Sequence, residues 1–303
     1  MSEALTLSTP SSPSTTSGSQ PAGDHVVIDG VSLGFDEIIN RDLVNLKKAA
    51  EYKETFFSAK PYPHIVFDGL FNPRLLELVL ADFEKLKFSQ WRRYDNSNEL
   101  KRGSAPKTRL GAASQLYFST IYSGEFVEFI EAVTGIEGLV VDPELYAGGL
   151  HDIPPGGKFA MHVDFNQHSV TKLANRLVFI TYLNRDWKLE YGGDLELWDP
   201  ETRECVDRVV PEFGRTVMFY QSSKSLHGHP NPVNAPNGRH RRSAAAYFYS
   251  NGRGDGDGSD FHTTLFPTQA ISNEAERARN LAKYFLPPAA FDAARKIKSL
   301  LGK

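Results

Sequence analysis

The sequence predicts an α+β protein, mainly β, in which a double-stranded β-helix (jelly roll) core is buttressed by N- and C-terminal helices. Two observations lead to this fold class. Between about residues 142 and 250, short apolar segments are separated by Gly, Pro, Asn and Asp, as in antiparallel sandwiches and barrels. On both sides of this region, segments of helical character occur. The helices should therefore pack against one sheet of the core.

Helix signals precede the strands. Asn72 and Pro73 suit the N-cap and the first position of one helix, and apolar residues follow them at helical spacing. Ser123 caps a second helix, which Gly135 should end in the left-handed conformation. The polar, basic stretch 88–112 is interpreted as either a mobile lid or a plain surface loop. Strands are expected near 145–151, 158–164, 176–183, 194–199, 205–210, 214–220 and 241–250.

The chain divides into a tail and one domain. Residues 1–27 are rich in Ser, Thr, Pro and Gly, a composition that buries too little apolar surface to offset the entropy of ordering, so we expect a disordered tail. Residues 28–303 should form a single domain with the jelly roll at about 142–250. Helices around 273–285 and 289–301 are expected to close it.

Composition excludes several classes of protein. With 303 residues and 40% hydrophobic content, the chain can bury a sizeable core. A net charge of −3 and a pI near 6.3 give no basic footprint for nucleic acid. Cys205 is the only cysteine, and neither a membrane-spanning run nor a secretory signal is evident. We therefore expect a soluble cytoplasmic protein with no membrane or nucleic-acid partner, and nothing in the sequence specifies its oligomeric state.

The most informative motif is His162-Val163-Asp164, followed far downstream by His227. Residues two apart on a strand project from the same side, so His162 and Asp164 can reach one metal ion while Val163 points away. Two imidazoles and one carboxylate on one face of an ion leave open coordination positions, as in non-heme Fe(II) oxygenases. The motif therefore predicts a metal site that the fold must close by bringing His227 to the pair.

A second motif opens the strand expected at 241–250. Period two would place Arg242, Ala244, Ala246 and Phe248 on one face. A guanidinium at the mouth of a cavity floored by alanines can bind a carboxylate bidentately while leaving room for the ligand. The strand therefore indicates a cosubstrate with a terminal carboxylate.

Taken in order, these motifs resemble the prolyl-hydroxylase-like branch of the Fe(II)/2-oxoglutarate-dependent dioxygenases, and the match runs from about Tyr62 to Ser250. Each piece is weak alone, whereas their order is specific. The pieces are Pro63-His64-Ile65-Val66-Phe67-Asp68, Gly156-Gly157-Lys158-Phe159, His162-Val163-Asp164, Tyr182-Leu183-Asn184-Arg185-Asp186-Trp187, Gly192-Gly193-Asp194-Leu195, His227-Gly228-His229-Pro230 and the Arg242 strand.

The resemblance implies roles for individual residues. His162, Asp164 and His227 look like the iron ligands, and His229 is the competitor of His227. Arg242 and Tyr182 look like the residues that hold the distal carboxylate of 2-oxoglutarate. A register error of one residue would give the role of Arg242 to Arg241. His151 lies where relatives often carry a residue that touches the cosubstrate, although a structural role is at least as well supported.

The resemblance also implies an activity. With Fe(II), 2-oxoglutarate, O2 and, as a reductant, ascorbate, such an enzyme hydroxylates an unactivated C–H bond and releases succinate and CO2. The carboxylate ligand Asp164 favours hydroxylation, because related halogenases replace it with a small residue. The substrate is a prolyl residue, an amino acid or a small metabolite. Two alternatives remain, namely a non-catalytic jelly-roll binding protein and a zinc-dependent, cupin-like metal hydrolase.

Overall fold

The computed structural model of the chain describes residues 24–257 and 260–267. The helices predicted at 273–285 and 289–301 and nearly all of the predicted tail lie outside the described residues. The first strand begins at His25, just before the domain start predicted at residue 28, and the division into a tail and one domain stays a prediction.

The elements follow one another in a fixed order of strands and helices. The strands are β1 (His25–Ile28), β2 (Val31–Gly34), β3 (His64–Phe67), β4 (Trp91–Asp95), β5 (Leu100–Ser104), β6 (Val140–Val141), β7 (Gly149–Ile153), β8 (Phe159–His162), β9 (Ala174–Tyr182), β10 (Leu195–Trp198), β11 (Cys205–Val209), β12 (Thr216–Tyr220), β13 (Leu226–His229) and β14 (Arg241–Ser250). The helices are α1 (Leu46–Ser58), α2 (Pro73–Lys85), α3 (Ala112–Ile121) and α4 (Gly124–Thr134).

Two antiparallel sheets form the jelly roll, as the sequence predicts. The large sheet has the order β3-β12-β9-β14-β7-β5-β4, with β6 also pairing with β14, and the small sheet has the order β11-β10-β13-β8. β1 and β2 form a separate hairpin. The chain passes back and forth between the two sheets, so strands that are distant in sequence lie side by side. A site assembled from separate motifs requires such neighbours.

The two predicted helix starts are confirmed. Asn72 accepts a hydrogen bond from the backbone N–H of Arg74 at 2.9 Å at the start of α2, and Ser123 accepts one from Phe126 at 3.3 Å at the start of α4. Gly135 ends α4 with a φ of 68°, which a residue without Cβ adopts at little cost. Within the described residues, no helix has the length and apolar character needed to cross a bilayer.

The large sheet separates two hydrophobic cores. One lies between the sheet and the helices, and β9 and β14 contribute to it Leu177, Phe179, Ala244, Ala246 and Phe248. The other lies inside the jelly roll and includes Val178, Tyr182, Leu195, Val217 and Tyr247. Alternate residues of β9 and β14 therefore belong to different cores, so both faces of these strands are buried.

Several elements were not predicted, among them the strands β1, β2, β3 and β6. Within 88–112, β4 and β5 form a hairpin that extends the large sheet, with Arg102 opposite Asp152 of β7, rather than an irregular lid or loop. The helix α3 follows Gly111, which offers no side-chain cap. The short strand β13 joins the small sheet between β10 and β8.

After β14 the chain returns to the end of β8. The backbone of Leu265 exchanges two hydrogen bonds with Val163, at 2.9 and 2.8 Å. The ring of Phe266 lies 6.1 Å from the ring of Phe159, measured between centroids. The segment 260–267 therefore forms part of the wall around the residues that follow β8.

Candidate metal centre

His162, Asp164 and His227 converge inside the jelly roll, as the sequence predicts. His162 is the last residue of β8, and the strand register places His227 of β13 directly opposite it. One ligand atom from each of the three residues lies within 4.8 Å of the others, and all three side chains are buried. The three donor atoms are therefore close enough to bind one ion.

Backbone carbonyls orient both imidazoles. Nδ1 of His162 donates to the carbonyl oxygen of Ala160 at 2.8 Å, and Nδ1 of His227 donates to that of Ser225 at 2.8 Å. With the proton on Nδ1, each Nε2 presents a lone pair to the centre. These Nε2 atoms lie 3.4 and 3.6 Å from the oxygens of Asp164, so each points at the carboxylate across the space that an ion would fill.

The protonation states suit a divalent metal. Burial, together with the neighbouring His227, lowers the pKa of His162 to about 4, so this imidazole is neutral at physiological pH. Burial opposes ionisation of Asp164, but its contacts with His162 and His227 hold the pKa of this carboxyl well below its usual range. Neutral imidazole and ionised carboxylate are the forms that ligate metals.

Further groups support the carboxylate. The hydroxyl of Tyr247 donates to Oδ2 of Asp164 at 3.1 Å, and Nε2 of Gln221 donates to its backbone oxygen at 3.0 Å. Such partners of a ligand fix its orientation and raise metal affinity. Nε2 of His162 is buried without a hydrogen-bond partner among the described residues, which leaves it free for a metal. The donor set and its surroundings thus fit Fe(II).

The triad faces a cavity of about 150 Å³. β14 contributes four residues to its wall, and these are Arg241, Ser243, Ala245 and Tyr247. The prediction that Arg242, Ala244, Ala246 and Phe248 face the cavity is therefore wrong by one residue. Those three apolar residues pack against the helices instead, because that side of the sheet is also a hydrophobic core.

Arg242 lies outside the cavity in an ion-pair network. Its Nε is 3.2 Å from the buried carboxylate of Asp152, and its NH2 group is 2.6 Å from Glu84. Asp152 also accepts hydrogen bonds from Arg102 at 2.6 Å and from His240 at 3.0 Å. The guanidinium of Arg242 thus joins β14 to β7 and α2, and Asp152 extends this network to Arg102 of β5.

Arg241 is the guanidinium that enters the jelly roll. It is only 4% exposed, and its Nε donates to the carbonyl oxygen of Gly193 at 2.5 Å. A Cβ at Gly193 would lie 2.8 Å from Cδ of Arg241, so this position requires glycine. Among the described residues, no carboxylate is within ion-pair distance of Arg241. A buried cation without an anion is costly, which makes it a natural site for a ligand carboxylate.

Tyr182 lies beside this cation. It shares a strand face with Val178 and Ile180, as expected, and its ring centroid is 5.0 Å from Cζ of Arg241. Burial raises the pKa of Tyr182, whereas Arg241 lowers it, and the net shift is upward. Its buried hydroxyl has no hydrogen-bond partner among the described residues. A phenol and a guanidinium thus lie side by side, although only Arg241 of the two is among the residues that line the cavity.

Two further histidines line the cavity without joining the triad. His229 is buried, and neither of its ring nitrogens has a hydrogen-bond partner within the described part of the chain. His151 of β7 is kept neutral, because burial and the nearby Lys101 lower its pKa to about 3. Of the two candidates for the third ligand, the converging set contains His227 and not His229.

Sequence reasoning missed several residues of the cavity wall. Lys101 and Glu99 come from the β4–β5 hairpin, a segment whose polar composition gave no sign of a buried role. Tyr247 would have been found from the alternation of β14 had Arg241 been chosen as its inward residue.

A His-Asp-His triad with open positions, buried in a jelly roll, defines the class of facial-triad metal-dependent oxygenases.

Comparison with known proteins supports this class. Residues 148–249 match the family model described as the 2OG-Fe(II) oxygenase superfamily. The matched region contains all three residues of the HxD…H triad, so residues 148–249 form the core of a 2OG-Fe(II) oxygenase, and members of that superfamily use Fe(II) and 2-oxoglutarate. The resemblance stated from the sequence motifs is confirmed at this level.

Solved structures with similar folds include prolyl hydroxylases. A prolyl-4-hydroxylase from Pseudomonas putida is 16% identical, with 67% of this chain and 100% of that chain covered and a TM-score of 0.47. A prolyl hydroxylase from Trichoplax adhaerens, in complex with a hypoxia inducible factor peptide fragment, is 15% identical, with coverages of 71% and 96% and a TM-score of 0.48. HygX from Streptomyces hygroscopicus, with nickel and 2-oxoglutarate bound, is 12% identical, with coverages of 72% and 97% and a TM-score of 0.47. No curated protein matches the chain.

Proposed function

We propose that this protein is a dioxygenase that couples oxidative decarboxylation of 2-oxoglutarate to hydroxylation of an unactivated C–H bond. One atom of O2 enters succinate, CO2 is released, and the other oxygen atom enters the second substrate. The observation that carries this proposal is the convergence of three ligand atoms within 4.8 Å, in a cavity that also contains a buried guanidinium with no carboxylate partner among the described residues. The substrate is a prolyl residue, an amino acid or a small metabolite.

His162, Asp164 and His227 would hold the iron, which supplies the oxidising chemistry when it is bound. Their contribution is geometric. The carbonyls of Ala160 and Ser225 fix the two imidazoles, and Tyr247 fixes the carboxylate, so little reorganisation is needed on metal binding.

Arg241 and Tyr182 would hold the distal carboxylate of 2-oxoglutarate. Support comes from the burial of Arg241, its lack of a carboxylate partner among the described residues and the unpartnered hydroxyl of Tyr182 beside it. A carboxylate placed there would accept charge-assisted hydrogen bonds in a site shielded from water. Arg242 is not assigned this role, because its guanidinium is occupied by Asp152 and Glu84.

The test is succinate formation by the purified full-length protein supplied with Fe(II), ascorbate, O2 and 2-oxoglutarate. Wild-type protein should form succinate in an iron-dependent manner, even without a second substrate, and Asp164→Ala should abolish this activity. Asp68→Ala is the matched control, since the Asp68 side chain is 68% exposed and pairs with Arg215 at the surface. Circular dichroism should show that both variants are folded.

An undiminished rate in Asp164→Ala would contradict the proposal. Absence of any 2-oxoglutarate turnover by iron-loaded wild-type protein would favour a non-catalytic jelly roll. Hydrolytic activity with zinc and no use of 2-oxoglutarate would favour a metal hydrolase, for which the buried Arg241 has no evident purpose.

A further inference from the structure

An ammonium group that is mostly shielded from solvent lies in the wall of the triad cavity. Lys101 of β5 is 13% exposed, and its Nζ is 3.2 Å from the ring centroid of Phe159 and 5.2 Å from that of Tyr94. The same Phe159 ring stacks on the metal ligand His162 at 3.7 Å. Two groups so close to one ring must occupy its opposite faces, so one aromatic ring separates the ammonium from the metal centre.

A carboxylate accompanies this ammonium. Oε2 of Glu99 lies 3.3 Å from Nζ of Lys101, and the Glu99 side chain is 14% exposed. Its other oxygen, Oε1, accepts a weak hydrogen bond from Asn96 at 3.4 Å. The pair is therefore positioned by the hairpin itself, with both charges among the residues that line the cavity.

The pair has no evident structural purpose. Taking two opposite charges out of water costs about as much as their attraction returns, so a buried ion pair contributes little to stability. Burial indeed lowers the pKa of Lys101, although Glu99 raises it in part. A pair retained in the wall of a catalytic cavity is better explained by a ligand that meets both charges.

The cavity favours a small ligand over an extended chain. Its volume is about 150 Å³, and its walls include the hairpin on one side and Thr264 of the segment 260–267 on the other. The hairpin is joined to β8 by backbone hydrogen bonds from Leu100 to Lys158 and from Ala160 to Asn98. A free amino acid, which has few heavy atoms, needs less room between these walls than a polypeptide does.

We propose that Lys101 and Glu99 bind the carboxylate and the ammonium group of a free α-amino acid, the second substrate. This inference rests on the proposed dioxygenase function and names its substrate class. Lys101 meets the substrate carboxylate and Glu99 its ammonium, which completes a four-charge array in a poorly hydrated site. Arg241 remains available for 2-oxoglutarate, so the amino acid and the cosubstrate bind through their carboxylates to two separate cations.

The test measures succinate formed by the iron-loaded full-length protein with each free L-amino acid, and with its amide and its N-acetyl derivative. At least one amino acid should stimulate turnover above the rate without a second substrate. Its amide and its N-acetyl derivative, each of which lacks one charge, should lose about tenfold or more in kcat/KM. Lys101→Met and Glu99→Gln should raise the KM for the amino acid by about tenfold or more, with the KM for 2-oxoglutarate changed by less than about twofold.

Controls separate binding from folding. Lys107→Met removes an exposed lysine that pairs with Glu144 at 3.2 Å, and it should leave every parameter unchanged. The double variant Glu99→Gln/Lys101→Met leaves no buried charge without a partner. It should therefore remain folded and show the same loss of amino acid dependence, even if a single variant unfolds.

Three results would overturn the inference. Wild-type protein that turns over 2-oxoglutarate but responds to no free amino acid, or responds only to peptides, has another substrate class. If the amide and the N-acetyl derivative stimulate turnover as strongly as the free amino acid does, the protein does not recognise the two charges. A loss of 2-oxoglutarate affinity in Lys101→Met equal to its loss of amino acid affinity would place Lys101 in the cosubstrate site. Absence of all 2-oxoglutarate turnover in wild-type protein would instead refute the dioxygenase function itself.

Discussion

Neighbouring arginines on β14 allow a sharp test of the cosubstrate site. Arg241 and Arg242 are adjacent in sequence and carry the same charge, yet they point to opposite faces of the large sheet. We expect Arg241→Met to weaken 2-oxoglutarate binding strongly and Arg242→Met to leave it unchanged. Methionine preserves much of the length of the side chain, so each substitution removes mainly the charge.

The expected magnitudes follow from the contacts. Arg241 is 4% exposed with no carboxylate partner among the described residues, and removing one member of a buried, hydrogen-bonded charge pair costs about 2–5 kcal/mol. The dissociation constant should therefore rise by about 30-fold or more. Arg242 loses a pair with Glu84, whose side chain is 75% exposed, while Asp152 keeps its contacts with Arg102 and His240. That variant should lose about 1 kcal/mol of stability, or about 2–4 °C in Tm.

The assay is calorimetric titration of 2-oxoglutarate into protein loaded with Mn(II) in the absence of oxygen, paired with thermal unfolding of each variant. Mn(II) stands in for iron so that no turnover disturbs the titration. A greater loss of 2-oxoglutarate affinity in Arg242→Met than in Arg241→Met would refute the assignment of strand faces on β14.

Two further predictions concern the metal itself. His227→Ala should lower metal affinity by about 100-fold or more, whereas His229→Ala should leave it within about threefold, as measured by competition with a metal indicator; similar losses in both would mean that the wrong histidine has been assigned. Tyr247→Phe removes the 3.1 Å hydrogen bond to Asp164 and should lower metal affinity by about tenfold or more, with Tyr249→Phe as the control because the Tyr249 hydroxyl has no hydrogen-bond partner among the described residues. Equal metal affinities in wild-type protein and Tyr247→Phe would deny Tyr247 this supporting role.

The triad could be predicted because its geometry is local and periodic. His162 and Asp164 are two residues apart at the end of a strand, and this spacing alone places both side chains on one side. Only the partner from β13 required the fold, and the order of motifs along the chain supplied it. The caps of α2 and α4 were equally accessible, since Asn72 and Ser123 act on backbone groups two or three residues away.

The register of β14 could not be predicted from alternation. A strand with one wet face shows which residues point inward, but both faces of β14 are buried, one against helices and one around the metal centre. The apolar set of Ala244, Ala246 and Phe248 was assigned to the cavity, although an active site needs the polar set that begins at Arg241. On β14, the more apolar face belongs to the core between the large sheet and the helices.

The β4–β5 hairpin could not be predicted from the sequence for a related reason. β4 and β5 are rich in charged residues, which have low strand propensity and read as solvent-exposed. Lys101 and Glu99 are nevertheless mostly shielded from solvent, because the hairpin folds over a polar cavity rather than over an apolar core. β13 was missed because four residues that include a glycine carry too little strand signal.

The pairing of Leu265 with Val163 bears on where the catalytic unit ends. The family model stops at residue 249, and a chain trimmed to Ser250 would keep every iron ligand that we assign. Such a fragment would nevertheless lose the two backbone hydrogen bonds to the residue that stands between His162 and Asp164. A fragment that ends where the family model ends would thus lack part of the structure that supports the metal centre. Expression fragments intended to be active should extend through at least residue 267.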